Sequence, residues 1–107
     1  MKIWLDDLRP APSGYFWCKS VNQAIEEIEV HELMVKKSGH PEYYNVELID
    51  CDHDLGEYAV DGGDGIKLLD WLEATGRNYP IRIHTMNPVG RENMQTVIRH
   101  NNWKEVI

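Results

Sequence analysis

Three short stretches carry residue types suited to phosphate and metal chemistry. LDDLRP (5–10) holds Asp6, Asp7 and Arg9, and DHDLG (52–56) holds Asp52, His53 and Asp54. HTMNPVG (84–90) holds His84, Thr85 and Asn87, with Arg91 directly after it. Carboxylates gathered in one place repel and raise one another's pKa unless a positive charge joins them. A hard divalent cation is the simplest remedy: Mg²⁺ takes one or two carboxylates plus waters and phosphate oxygens, and Mn²⁺ can substitute. Asp6, Asp7 and Asp52 are the leading ligand candidates. A bound metal makes an acidic crevice a phosphate site, and Arg9 and Arg91 suit the remaining phosphate oxygens by bidentate pairing. Imidazole is the side chain for general acid–base work near neutrality, which singles out His53 and His84.

Each residue also has an ordinary reading. An acidic pair after a strand is often a turn or a cap, Asp54 can cap a loop, a strand-end histidine is often structural, and Arg9 can be a solvated side chain. Asp50 reads as a buried partner of a backbone amide or a cation and is not among the candidates. The functional reading rests on convergence of the three stretches, which depends on the elements that carry them.

KIWLDD (2–7) reads as a buried strand ending in acids, and DLRPAPSG (7–14), with two prolines and a glycine, as a loop. YFWCK (15–19) is a second strand. Ser20 with Gln23 forms a capping-box pattern, and Val21, Ala24, Ile25 and Ile28 share one helix face as far as about Lys36. SGHPEYYN (38–45) ends that helix. VELIDC (46–51) is nearly continuous in apolar residues before Asp50, as a central strand should be. DHDLGEYAVDGGDG (52–65) is a long loop whose glycines permit close approach to a ligand. Ile66, Leu69 and Leu72 mark a helix closed by Gly76. PIRIHT (80–85) is a strand, Pro88 suits a first helical turn before the Met94, Val97 and Ile98 stripe, and WKEVI (103–107) is a last strand.

This alternation predicts right-handed crossovers and a mostly parallel five-stranded sheet in one three-layer, flavodoxin-like α/β domain over residues 1–107, with strand order 2-1-3-4-5. Ligands of such sheets sit outside the carboxyl ends of the strands, at the switch point between strands 1 and 3. All three motifs follow strand ends that this order makes neighbours. The acids therefore stand where the architecture builds sites. Trp4 and Trp17, on adjoining strands, are placed to edge the crevice.

Composition narrows the function further. The 107 residues carry a formal charge of −7, from 11 Lys and Arg against 18 Asp and Glu, which argues against coating nucleic acid but permits a small nucleotide or an RNA end held locally through a metal. No apolar run spans a membrane and none resembles a signal peptide, so the expected location is the cytoplasm. Cys18 and Cys51 form no CxxC and read as buried, reduced thiols. GGDG (62–65) lacks the GK[ST] of a P-loop, and His31, His40 and His100 read as surface residues.

LDDLRP, DHDLG and HTMNPVG, in this order and spacing, resemble the cyclic-phosphate processing receiver-like family, an offshoot of the receiver domains of two-component response regulators. The resemblance covers almost the whole chain. It implies that Asp6 and Asp7 form the acidic pair that binds Mg²⁺, that Asp52 stands where receivers accept a phosphoryl group, and that Thr85 is the switch hydroxyl. It makes Arg9, His53, Asp54, His84 and Asn87 the family's distinctive additions, with Asp54 a further ligand. The implied activity is metal-dependent hydrolysis of a cyclic phosphate, such as a 2′,3′-cyclic nucleotide or RNA end. Two departures from ordinary receivers stand out: no counterpart of the receiver lysine, since Lys104 lies inside the last strand, and no final helix. Alternatives are a stand-alone phosphoacceptor receiver and a receiver-like binding domain without catalysis.

Overall fold

The computed structural model describes residues 1–107. Five strands form one sheet: β1 (Lys2–Leu5), β2 (Tyr15–Cys18), β3 (Leu48–Cys51), β4 (Ile81–Ile83) and β5 (Glu105–Val106). The order is β2-β1-β3-β4-β5 and every pairing is parallel. The expected order is observed, and the sheet is parallel throughout rather than mostly so. β1 and β4 are shorter than the sequence suggests, because they end where Asp6 and His84 begin, while β3 and β5 start later than expected.

The helices are α1 (Val21–Ser38), α2 (Pro41–Tyr44), α3 (Ile66–Ala74) and α4 (Pro88–His100), with a 3₁₀ turn at Gly56–Val60. At the start of α1 the Gln23 amide donates to Ser20 Oγ at 3.1 Å, and Gln23 Oε1 accepts from the Lys19 amide at 2.9 Å. The return bond thus reaches one residue further back than in a standard capping box. Lys36 and Lys37 sit in the last turn, where cations suit the helix dipole. The segment 38–45, which ends α1, contains the short α2, opened by Pro41.

The β2–β3, β3–β4 and β4–β5 connections all step the same way across the sheet. Right-handed crossovers therefore place α1, α3 and α4 on one face, where α1 packs against α3 and α3 against α4. Ile3, Leu5, Ile49, Cys51, Ile81 and Ile83 meet Ala24 and Ile28 of α1, Leu68, Leu69 and Leu72 of α3, and Met94 and Ile98 of α4 in a single buried cluster. Each fully buried Leu or Ile stabilises by about 1.5–3 kcal/mol.

The β1–β2 step runs the other way and has no helix, because Pro10 and Pro12 preclude one. The long helices α1, α3 and α4 thus lie on one face of the sheet. The opposite face presents Lys2, Trp4, Tyr15, Trp17 and Arg82, none of them fully buried. Trp4 and Tyr15 meet edge to face at 5.9 Å, with the Lys2 ammonium 5.5 Å from the Tyr15 ring.

Cys18 and Cys51 are free and buried. Burial pushes the Cys18 thiol up to about 12, with the Glu27 charge adding to it, and pushes Cys51 up as well. No helix is long and apolar enough to cross a membrane.

Candidate functional site

The sheet ladder runs one residue beyond each strand and fixes the first residue of each motif. The Asp6 amide donates to Cys18 O at 3.0 Å, the Asp52 amide to Leu5 O at 2.9 Å and the His84 amide to Cys51 O at 3.0 Å. Three sequence-distant side chains are thereby set side by side at the carboxyl end of the sheet. Both indoles flagged on β1 and β2 brace the loop after β1: Trp4 Nε1 donates to Arg9 O at 2.8 Å and Trp17 Nε1 to Asp6 O at 2.7 Å.

Asp6 is 1 % exposed and fully engaged. Its Oδ1 accepts from the Leu8 and Arg9 amides, each at 2.9 Å, and its Oδ2 from Arg9 Nε at 2.9 Å. His84 Nε2 approaches the same Oδ2 at 3.0 Å. Burial pushes this carboxyl up, but the Arg9 and Leu8 amides, His84 and the Arg9 charge outweigh it and leave it below its usual 3.8. Arg9 also reaches Asp52 Oδ2 at 3.3 Å and the His84 carbonyl at 2.9 Å. One guanidinium therefore joins the ends of β1, β3 and β4. Asp52 turns its other oxygen to the His53 amide at 2.8 Å.

His84 lies behind these carboxylates. Its Nδ1 is 2.6 Å from Asp50 Oδ1, and its ring stacks on Trp4. Each ring nitrogen of His84 therefore faces a carboxylate oxygen. Asp50 is the residue that motif reading leaves out. It is buried in β3, in register with Trp4 and Arg82, and Arg82 Nε lies 4.0 Å from its second oxygen. The available signal was an acid inside an apolar strand, two residues before the motif.

A second cluster forms at the rim. His53 Nδ1 is 2.8 Å from Asp54 Oδ1, and Asn87 Nδ2 donates to both Asp54 oxygens at 3.2–3.3 Å. The His53 contact holds Asp54 below the usual carboxylate range against the cost of burial, with Asn87 adding to it. Asn87 Oδ1 also caps α4 by accepting from the Gly90 amide at 3.0 Å. A Cβ on Gly90 would lie 2.5–2.8 Å from His53 ring atoms, so only glycine lets that ring rest on α4. The long loop is closed by the Leu55 amide donating to Asp64 Oδ1 at 3.0 Å.

Asp6, Asp7, Arg9, Asp52 and Asp54 line one cavity of about 470 Å³, flanked by Leu8 and Met86. Thr85 and Arg91 line a neighbouring groove instead. The Thr85 hydroxyl accepts from the Asn87 amide at 3.2 Å, and Arg91 Nη2 donates to Thr85 O at 3.2 Å. Arg9 is thus the cation of the acidic cavity.

One oxygen each from Asp6, Asp7 and Asp52 lies within 4.8 Å of the others. This all-oxygen set suits Mg²⁺ or Mn²⁺. Asp6 already meets four donors, whereas the Asp7 carboxylate meets no protein donor and Asp52 retains capacity. Asp7 and Asp52 are therefore the ligands with oxygens to spare, and Asp6 stands behind them. Gly56, at φ 54°, leaves room for Asp7: a Cβ there would lie 2.6 Å from Asp7 Oδ2. Asp54 groups with His53 and Asp64 rather than with this trio.

The family described as cyclic-phosphate processing receiver domain matches residues 1–100. The chain belongs to that family. No curated protein and no solved structure matches it. Within this receiver-like frame no lysine lines the cavity, and Arg9 spans Asp6 and Asp52.

Proposed function

We propose that this chain is a metal-dependent phosphoesterase that opens cyclic phosphates, such as 2′,3′-cyclic phosphate nucleotides or RNA ends, working in the cytoplasm. The observation that carries the reading is the meeting of the Asp6, Asp7 and Asp52 oxygens beside the Arg9 guanidinium in one cavity at the switch point. Bound Mg²⁺ would supply Lewis-acid polarisation of the phosphoryl group. Arg9 orients the phosphate and offsets charge as the pentacoordinate state forms. Asp52 either attacks phosphorus, giving an acyl phosphodiester whose bond to Asp52 is then hydrolysed by water, or takes the proton of an attacking water; in both routes the new P–O bond forms as the bond to one ribose oxygen breaks. His53 protonates that leaving oxygen. It is favoured over His84 because Asp54 holds its Nδ1 and leaves Nε2 without a protein partner, whereas both His84 nitrogens are engaged. His84 then positions Asp6.

The test is phosphorus NMR of the purified protein with Mg²⁺ and a 2′,3′-cyclic nucleotide, beside Asp52→Asn. Conversion to one monoester by the parent alone is expected, and the isomer shows which bond breaks. Undiminished turnover by Asp52→Asn would remove this site from consideration. A stable phosphoryl adduct on Asp52 after treatment with a small phosphodonor would instead favour a phosphoacceptor receiver.

A further inference from the structure

The chain has five arginines. Arg9 meets Asp6 and Asp52, Arg77 meets Glu32, and Arg82 lies by Asp50. Arg91 and Arg99 alone have no carboxylate within 4.0 Å, and both line the groove of about 550 Å³ beside the acidic cavity. In a protein of charge −7, placing both unpaired guanidiniums in one groove marks that groove for an anion. They stand at i and i+8 on α4, about 12 Å apart along the helix, with Gln95 midway on the same flank. Gln95 Nε2 is held by Glu105 of β5 at 3.0 Å. Glu92 is the one acid in the groove.

The two cavities share one residue, Met86, whose side chain is 88 % exposed between them. A polarizable thioether in that position suits the face of a nucleobase. A ligand seated with its terminal phosphate at Arg9 would cross Met86 and bring its next phosphate to Arg91 and Arg99.

We infer that the Arg91–Arg99 groove holds the nucleotide stretch on the 5′ side of the cyclic phosphate, so that the substrate is the end of a single-stranded RNA rather than a free mononucleotide. This rests on the proposed phosphoesterase reading and specifies its substrate. The contact is short, because the acidic remainder of the surface repels a longer strand. With two phosphates engaged, the salt dependence of binding has a slope of about −1.4 on logarithmic axes.

The experiment compares a 2′,3′-cyclic mononucleotide with a tetraribonucleotide ending in the same cyclic phosphate, using the parent protein and Arg99→Ala. Arg99 is exposed and takes no part in the acidic cavity. The tetranucleotide should show kcat/KM at least tenfold higher, and Arg99→Ala should erase that advantage while leaving mononucleotide turnover unchanged. Equal turnover of both substrates by both proteins overturns the groove and leaves the phosphoesterase reading intact. Anisotropy of the 5′-labelled tetranucleotide in EDTA provides a readout independent of turnover. If neither substrate is turned over, salt-sensitive binding weakened by Arg99→Ala retains the groove without the enzyme. Binding that is absent, or unaffected by the substitution, overturns it.

Discussion

The imidazole of His84 lies flat on the indole of Trp4, with ring centroids 3.8 Å apart and planes 5° apart, while its nitrogens face Asp50 and Asp6. One side chain from the end of β4 is thereby clamped by two residues of the β1 segment and one of β3. The stacked indole and the two carboxylates hold the ring from three sides. His84→Ala would leave Asp50 buried with only a distant Arg82. Breaking a buried pair in this way costs about 3–5 kcal/mol, so urea denaturation should show a loss of about that size. A loss below about 1 kcal/mol would mean that water replaces the ring and the clamp contributes little.

Arg9 supplies the positive charge that lets Asp6 and Asp52 approach. Arg9→Ala leaves the cavity with its acids and no cation. The variant should melt lower than the parent in EDTA and recover a larger share of its stability on adding Mg²⁺, because ligand binding to the native state alone stabilises by mass action. Thermal melts with and without Mg²⁺ check this. Equal Mg²⁺-induced shifts in both proteins would show that Arg9 and the metal do not act on the same carboxylates.

Gly56→Ala would drive a Cβ against Asp7 Oδ2 and strain a positive-φ backbone. The Asp7 carboxylate must move, while Asp6 and Asp52 keep their partners. Manganese binding followed by paramagnetic resonance should weaken about tenfold, the scale at which perturbing a metal ligand's support acts. Unchanged affinity would remove Asp7 from the ligand set.

The sheet order was legible because β1, β3 and β4 are short apolar runs separated by helical stripes, and right-handed crossovers leave little freedom thereafter. The convergence of Asp6, Asp52 and His84 followed from that order. The open face was written in the same strands: Lys2 and Trp4 alternate with Ile3 and Leu5, and Arg82 with Ile81 and Ile83. A strand buried on both faces would not alternate so. Asp50 was harder to read. Its place in an apolar strand marks it as a buried partner, but only the register with Trp4 and the reach of His84 across from β4 reveal which partner. Arg91 follows the His84 motif directly in sequence, but one helical turn carries it into the next groove.

Away from the site, Glu32 of α1 accepts from Arg77 Nε and Nη2 at 2.8–3.1 Å and from the Tyr79 hydroxyl, pinning the chain after α3 to α1. Arg77 in turn sits 4.3 Å from the Trp71 ring centre. The Arg77 contact holds the Glu32 carboxyl below its usual 4.5, against a smaller cost of burial. A carboxyl depressed in the folded state binds its proton more weakly there than when unfolded. The stability it contributes is therefore complete above about pH 4.5 and is lost as pH falls through the folded value. Glu32→Gln should cost on the order of 1–2 kcal/mol at pH 6. Other carboxylates, Asp6 and Asp54 among them, titrate alike in parent and variant, so the difference between the two proteins isolates Glu32. Urea midpoints measured from pH 6 down to pH 3 should converge below pH 4.5. A gap that stays constant across that range would show that the variant's loss comes from packing rather than from the charge on Glu32.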